Sequence, residues 1–304
     1  MQLVVAGSSG LIGEALVRSL RSDGHGVRRL VRPETAADGV SWDPRRGHLP
    51  TDALSGVDAV VNLAGRSIGE RRWSDAEKGA LWASRVDSTR LLAESVAQMG
   101  SPPVLLNASA VGYYGDGGDA VLDETAAAGD GFLARLCAAW EEATTPAAAA
   151  GGRVVHLRSG IVLSTRGGAL GRLLAPFGPR WLSPYRWGLG GVVGRGRQWW
   201  SWISLQDEVA AIRHLLESDL SGPVNLVAQE PVTHREFVKA LGRVLRRPTV
   251  VPIPSFVLRM ILGSELAEAL VLEGQRVVPA RLEADGFRWH QPDLEQALAA
   301  ALAG

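Results

Sequence analysis

The chain has 304 residues, enough for one large α/β unit or for a main domain with a smaller second region. Its 32 acidic and 32 basic residues cancel, so no global field draws it to nucleic acid or an anionic membrane, and neither is expected as a partner. One cysteine, Cys137, excludes an internal disulfide, and no Cys/His cluster has zinc spacing, so no metal is expected.

The chain opens directly on an apolar strand, Leu3 to Ala6, without a signal-type or membrane-length run, which points to a soluble protein of a reducing cytoplasm. The strand feeds Gly7-Ser8-Ser9-Gly10-Leu11-Ile12-Gly13, and Ala15, Leu16, Val17 and Leu20 then follow helical spacing over about 11–22. Strand, glycine turn and helix in that order describe a dinucleotide-binding turn. Gly7 turns the chain sharply, Gly10 lets backbone N–H groups approach a pyrophosphate, and Gly13 lets the helix pack close to the sheet.

Further strands are expected at Gly26–Val31, Ala59–Leu63, Val104–Ala108 and Arg153–Leu157, with helices near 75–98 and 131–145. Their alternation predicts an α/β fold, a Rossmann-type doubly wound parallel sheet that binds ligands at the carboxyl ends of its strands. The second strand ends Leu30-Val31-Arg32 with no carboxylate before Pro33. A ribose hydroxyl pair prefers such a carboxylate, whereas Arg32 suits a 2′-phosphate, so the expected cofactor is NADP(H). The next strand closes on Asn62-Leu63-Ala64-Gly65, small enough for a backbone to pass beside the adenosine and pyrophosphate.

After Arg158 the pattern changes to a Gly/Pro/Trp-rich stretch over 176–196, read as a loop covering the cleft. Leu205–Glu217 reads as a helix and Val224–Val227 as a strand. Thr233-His234-Arg235-Glu236 forms a capping box opening a helix to about Leu245, and a small helical cap follows Pro252. The expected division is a cofactor domain over 1–165, with 198–228 returning to its sheet, and a smaller substrate-facing region over 166–304. The alanine run Ala147–Ala150 reads as a helix end or a loop, and Cys137 as apolar packing.

Together the turn, Val31-Arg32, Ser41-Trp42-Asp43-Pro44, Asn62 to Gly65, Arg71-Arg72-Trp73, Ser84-Arg85, Ser109 to Gly115, Arg158 to Leu163 and Gly188 to Ile203 resemble a known family. It is that of the epimerase-like, atypical extended short-chain dehydrogenase/reductases, which includes bacterial members labelled as SulA-type cell-division inhibitors. Leu272 to Val277, Pro279 and Gly286-Phe287 resemble the family's terminal domain of unknown function. The resemblance covers essentially the whole chain and implies an extended short-chain dehydrogenase fold with NADP(H). It places Leu11, Ile12, Arg85 and Val162 beside the cofactor, with Ser9, Leu63, Ala64 and Gly65.

Relatives in the wider superfamily use a tyrosine acidified by a lysine four residues on, helped by a serine. Here lysine occurs only at 78 and 239 and tyrosine only at 113, 114 and 185, so no such pair exists. The helix that normally carries it reads Phe132-Leu133-Ala134-Arg135-Leu136-Cys137. Ser109 lies near the superfamily's serine, either as a polar site residue or as a strand-end cap. Tyr113 or Tyr114 either donates a proton or packs, and Arg85 either supplies positive potential or forms a structural ion pair.

Arg71-Arg72-Trp73 either meets an anionic or planar substrate or is a solvated turn. Gly178 to Tyr185 looks like extra length relative to the family, either reshaping the lid or a tolerated insertion. The histidines are scattered without metal or triad spacing, and Ser204 stands where many relatives carry histidine.

The leading expectation is an NADP(H)-dependent oxidoreductase acting on a small carbonyl or enone substrate, as a monomer or homodimer. The alternatives are a catalytically weak or inactive NADP(H)-binding regulatory protein and, behind it, a sugar-nucleotide epimerase.

Overall fold

Apolar residues of the first strands are buried on both faces, as a parallel sheet covered by helices on each side requires. A computed structural model describes residues 1–33, 39–175 and 183–303. Strand β1 (Gln2–Ala6) leads into α1 (Leu11–Ser22), then β2 (Gly26–Val31) and the two-residue β3 (Val40–Ser41). Next come β4 (Ala59–Asn62), α2 (Asp75–Ala97), β5 (Val104–Ala110) and β6 (Val121–Leu122). Helices α3 (Phe132–Glu142) and α4 (Thr145–Ala149) precede β7 (Val154–Ser159), β8 (Ile161–Leu163) and α5 (Gly168–Leu174).

The second half continues with β9 (Trp199–Trp200), β10 (Trp202–Ser204), α6 (Leu205–Glu217), β11 (Gly222–Leu226), β12 (Val232–Thr233) and α7 (His234–Leu245). The C-terminal part holds α8 (Ser255–Leu262), α9 (Ser264–Ala267), β13 (Arg276–Val277), α10 (Ala280–Ala284) and α11 (Leu294–Ala303). Seven parallel strands form the central sheet in the order β11-β7-β5-β4-β1-β2-β3. This is the doubly wound Rossmann arrangement. The pair β8 and β10 runs parallel beyond the end of β7, and β13 lies against β6.

The helix expected over 131–145 ends at Glu142, and a separate short helix begins at Thr145. Pro146 has no N–H to continue the ladder, and the Thr144 and Thr145 hydroxyls donate instead to the carbonyls of Glu141 and Glu142, at 2.7 and 2.6 Å. The alanine run forms most of α4. The capping box is present: Thr233 N donates to Glu236 Oε2 at 2.7 Å, and Glu236 N donates to Thr233 Oγ1 at 3.3 Å. Ser204 caps α6, accepting from Asp207 N at 2.9 Å.

Of the Gly178–Tyr185 segment, residues 178–182 lie outside the described residues. Tyr185 is buried in a second apolar core with Trp200, Trp202, Phe237 and Leu241. Its hydroxyl donates to Gly191 O at 3.0 Å.

The C-terminal segment is bolted onto the sheet's upper loops. Gly117 N donates to Gly274 O, Gln275 Nε2 to Gly115 O, and Val277 N to Ser201 Oγ. Gly274 fits only because it lacks a side chain; a Cβ there would lie 2.4 Å from Trp199 N.

Glu208, on the first turn of α6, is fully buried and accepts from Ser159 Oγ at 2.6 Å, while its Oε2 lacks a partner among the described residues. Burial pushes its carboxyl up to about 7, although the serine's hydrogen bond opposes the shift. The unfolded chain releases this proton near pH 4.5 while the folded chain holds it to about pH 7. Its favourable contribution is therefore complete below that lower pH, falls through the window and stays low above it. Urea unfolding across this range should show Glu208→Gln gaining on the parent as pH rises, by up to about 3 kcal/mol.

Candidate active site

The glycine turn is shaped by backbone contact. Gly7 has φ +72°, and a Cβ there would stand 2.3 Å from Leu63 O; one on Gly13 would stand 2.2 Å from Gly7 O. The ends of β1 and β4 therefore meet through glycine alone, with Leu63 N donating to Ala6 O at 3.0 Å. Gly10 stands immediately before α1, and Leu11 and Ile12 form its first turn, beside the exposed Ser9. Val162 in β8 is brought to the same end, since a Cβ on Gly168 would touch both Val162 O and Leu11 Cδ2.

Beneath the Leu63-Ala64-Gly65 turn lies a fully buried amide and hydroxyl network. Asn62 Nδ2 donates to Thr89 Oγ1 and Asn107 Oδ1 at 2.8 and 2.7 Å, and Asn62 Oδ1 accepts from Ala64 N at 3.1 Å. Trp140 Nε1 completes it by donating to Thr89 Oγ1 at 2.9 Å. Each group has its partners, so burial here carries no desolvation penalty left unmet.

Arg85 lies against Gly65, whose Cβ would be 3.4 Å from its Cζ. Its guanidinium donates to Arg66 O at 2.8 Å and faces the Trp140 ring at 5.1 Å, with no carboxylate partner among the described residues. Burial lowers its pKa from the ordinary arginine value. The ion pair weighed for it does not form. Arg32 is exposed just past β2.

Arg29 was not singled out from the sequence, where it reads as an ordinary strand arginine. Its Nε donates to the buried Ser8 Oγ at 3.0 Å, and it lines a cavity of about 520 Å³ with Ser9, Arg18, Arg21 and Glu14 beside the turn. Three arginines against one glutamate make this opening cationic.

Farther along the same carboxyl edge of the sheet, near the end of β7, Arg158 grips Glu141 with two bonds of 2.8 Å, Nε to Oε1 and Nη2 to Oε2. Ser109 Oγ donates to Glu141 Oε1 at 2.7 Å. Arg158 Nη1 donates to the Tyr114 hydroxyl at 3.0 Å, and that hydroxyl donates to Asn225 Oδ1 at 2.7 Å. All five groups are buried. Ser109 and Tyr114, expected to act on a substrate, are thus committed to an internal network. Burial drives the Tyr114 phenol up despite Arg158.

Tyr113 differs. Its half-buried ring stacks on the Arg158 guanidinium at 3.5 Å, and its hydroxyl has no protein partner among the described residues. Leu133 and Cys137, one helical turn apart, face this tyrosine's turn at Gly112. Neither supplies a proton, because burial raises the Cys137 thiol to about 12. His156 Nε2 donates to Thr144 Oγ1 at 2.9 Å, since that hydroxyl's own proton goes to Glu141 O. Burial lowers its pKa, although the nearby Glu141 carboxylate opposes the shift.

The Arg71-Arg72-Trp73 loop is neither purely solvated nor aimed wholly at a substrate. Arg72 donates to the carbonyls of Met260 and Ile261, capping α8, and Trp73 donates to Ile68 O at 2.9 Å and meets Phe132 edge-on. Among the described residues no cluster of three His, Cys, Asp or Glu could hold a metal, and no helix is long and apolar enough to cross a membrane.

A model of the NAD dependent epimerase/dehydratase family matches residues 3–227, and a domain of unknown function, DUF1731, matches residues 253–301. The chain is 46% identical to epimerase family protein ML0860 of Mycobacterium leprae, over 98% of this chain and 95% of the relative. It is 36% identical to human epimerase family protein SDR39U1 over 98% of each. The crystal structure of human SDR39U1 (isoform 2) with NADPH aligns with a TM-score of 0.87 at 34% identity, covering 100% of this chain and 99% of that one.

Removing one partner of the buried Arg158–Glu141 pair leaves an uncompensated charge, so Arg158→Met should cost about 3–5 kcal/mol. Replacing both with apolar residues should cost clearly less; denaturant unfolding of the single and double variants checks this.

Proposed function

The chain belongs to the NAD dependent epimerase/dehydratase family, and from that premise we propose that it is an NADP(H)-dependent reductase of small carbonyl or enone compounds. The turn fits the cofactor: a Cβ at Gly7 or Gly13 would strike the backbone at Leu63 O or Gly7 O, so glycine packs the turn tightly against the sheet, and Gly10 leaves the N-terminus of α1 open to a pyrophosphate. NADPH bound to the human relative supports the choice of cofactor, as does Arg32 standing where an NAD-binding chain places a carboxylate. When bound, the nicotinamide supplies or takes a hydride.

The chain's own residues then have separable tasks. Gly7 to Gly13 hold the pyrophosphate, and Arg32, with Arg29 nearby, neutralises the 2′-phosphate. Arg85 provides fixed positive potential beside Gly65 without moving a proton, since arginine keeps its own. The observation that carries the reading is Tyr113: a phenol hydroxyl with no protein partner among the described residues, its ring seated on a cation. Tyr113 would hand its proton to the substrate oxygen, with Arg158 facing the charge left behind.

A non-catalytic NADP(H)-binding protein is the second reading. It is favoured by the commitment of Ser109 to Glu141 and of Tyr114 to Asn225, which leaves one hydroxyl where relatives in the superfamily use three groups. A sugar-nucleotide epimerase needs a strong base, and Leu133 and Cys137 offer none.

In fluorescence titrations NADPH should bind more tightly than NADH, and Arg32→Ala should reduce that preference by about tenfold or more. In an NADPH-oxidation screen over aldehydes, ketones and enones, Tyr113→Phe should lower kcat by about 100-fold while leaving NADPH affinity intact. Tight NADPH binding with no turnover in any class would establish the second reading instead.

A further inference from the structure

Ten large hydrophobic side chains are exposed among the described residues, and seven of them fall within 187–189 and 250–261. These stretches run side by side. Ile253 N donates to Val192 O at 2.9 Å, Gly194 N donates to Ile253 O at 3.0 Å, and a Cβ on Gly191 would collide with Val251 O at 1.7 Å. Helix α8 continues the surface: Phe256 is 60% and Met260 67% exposed, and none of its eight residues is buried. An apolar helix of this kind has no reason to persist in water unless something covers it.

Charge identifies the cover. Residues 183–199 and 231–262 carry nine basic side chains and one acidic, a net charge of +8 in a chain whose total is 0. Arg243 pairs with Glu295 and Arg259 with Glu268, while Arg186, Arg195, Arg197, Arg246 and Arg247 stay exposed around the apolar surface. A second copy of the chain would set this positive face against itself. A bilayer rich in anionic phospholipid offers both halves of the complement, negative headgroups for the arginines and hydrocarbon for Phe256, Met260 and Ile261.

We propose that α8 and the adjoining Leu189, Val250 and Val251 form a peripheral docking face for anionic phospholipid membranes. The face is coupled to the cleft. Arg72, in the loop leading from β4 to α2, holds the α8 carbonyls of Met260 and Ile261, and Lys78 of α2 pairs with Glu265 of α9.

The test is vesicle co-sedimentation of the full chain with NADPH, using phosphatidylcholine alone or with about a third phosphatidylglycerol. The expected result is binding to the anionic vesicles only, falling at least tenfold from low to high salt as the arginines are screened. Phe256→Asp with Met260→Asp, and separately Arg195→Glu with Arg246→Glu, should each weaken it at least tenfold. Unchanged melting temperature and NADPH affinity would show that these variants fold. Absent binding, equal binding to neutral vesicles, or full binding by either variant overturns the proposal. So does a dimer in light scattering that the Phe256/Met260 variant dissolves, which would assign the face to a second copy.

Discussion

The Arg158–Glu141 pair is the constraint on which the region around Tyr113 depends. It joins β7 to α3 directly, β5 through Ser109, the turn after β5 through Tyr114, and β11 through Asn225. Asn225 extends the chain of bonds outward: its N–H donates to Glu124 Oε1 at 2.9 Å and its amide nitrogen to Val278 O at 3.0 Å. The C-terminal segment is therefore referenced to the same buried charge pair that sets Tyr113. Two desolvated charges contribute little net stability, but each forbids any packing that leaves the other alone. Their value is a single arrangement of five elements, which is what a site needs.

The cofactor end is organised on a different principle. There the contacts are backbone to backbone, Gly7 against Leu63 and Gly13 against Gly7, with side chains excluded. Such an arrangement tolerates wide sequence change around it while requiring glycine at particular points. The two regions thus separate a dinucleotide turn, which glycine spacing specifies, from a polar network whose division of hydroxyls only the fold decides.

That separation explains what was readable in the chain beforehand. The alternation of apolar strands and periodic helices, the Gly7 to Gly13 spacing and the Thr233–Glu236 box are local patterns, and the parallel sheet follows from them. The fates of Ser109 and Tyr114 are not local. Their partners Glu141 and Asn225 lie 32 and 111 residues away, so the hydroxyls read as available when the folded chain occupies them. Arg29 was hidden for the same reason, since only the fold brings it to Ser8. The end of α3 did have a local signal, Thr144-Thr145-Pro146, and the expected helix stops just before that proline.

Net charge, too, is not a local quantity. A total of 0 excludes a long-range field only if the charges are mixed, and here residues 183–199 and 231–262 hold +8 while the rest of the chain balances it. At the ionic strength of a cell the Debye length is about 8 Å, so only acids close to this face, such as Glu295 on Arg243 and Glu268 on Arg259, offset its charge. What a partner meets is the local charge and the apolar residues set within it. The balance of 32 against 32 describes the molecule's solubility in bulk water better than it describes any single contact the molecule makes.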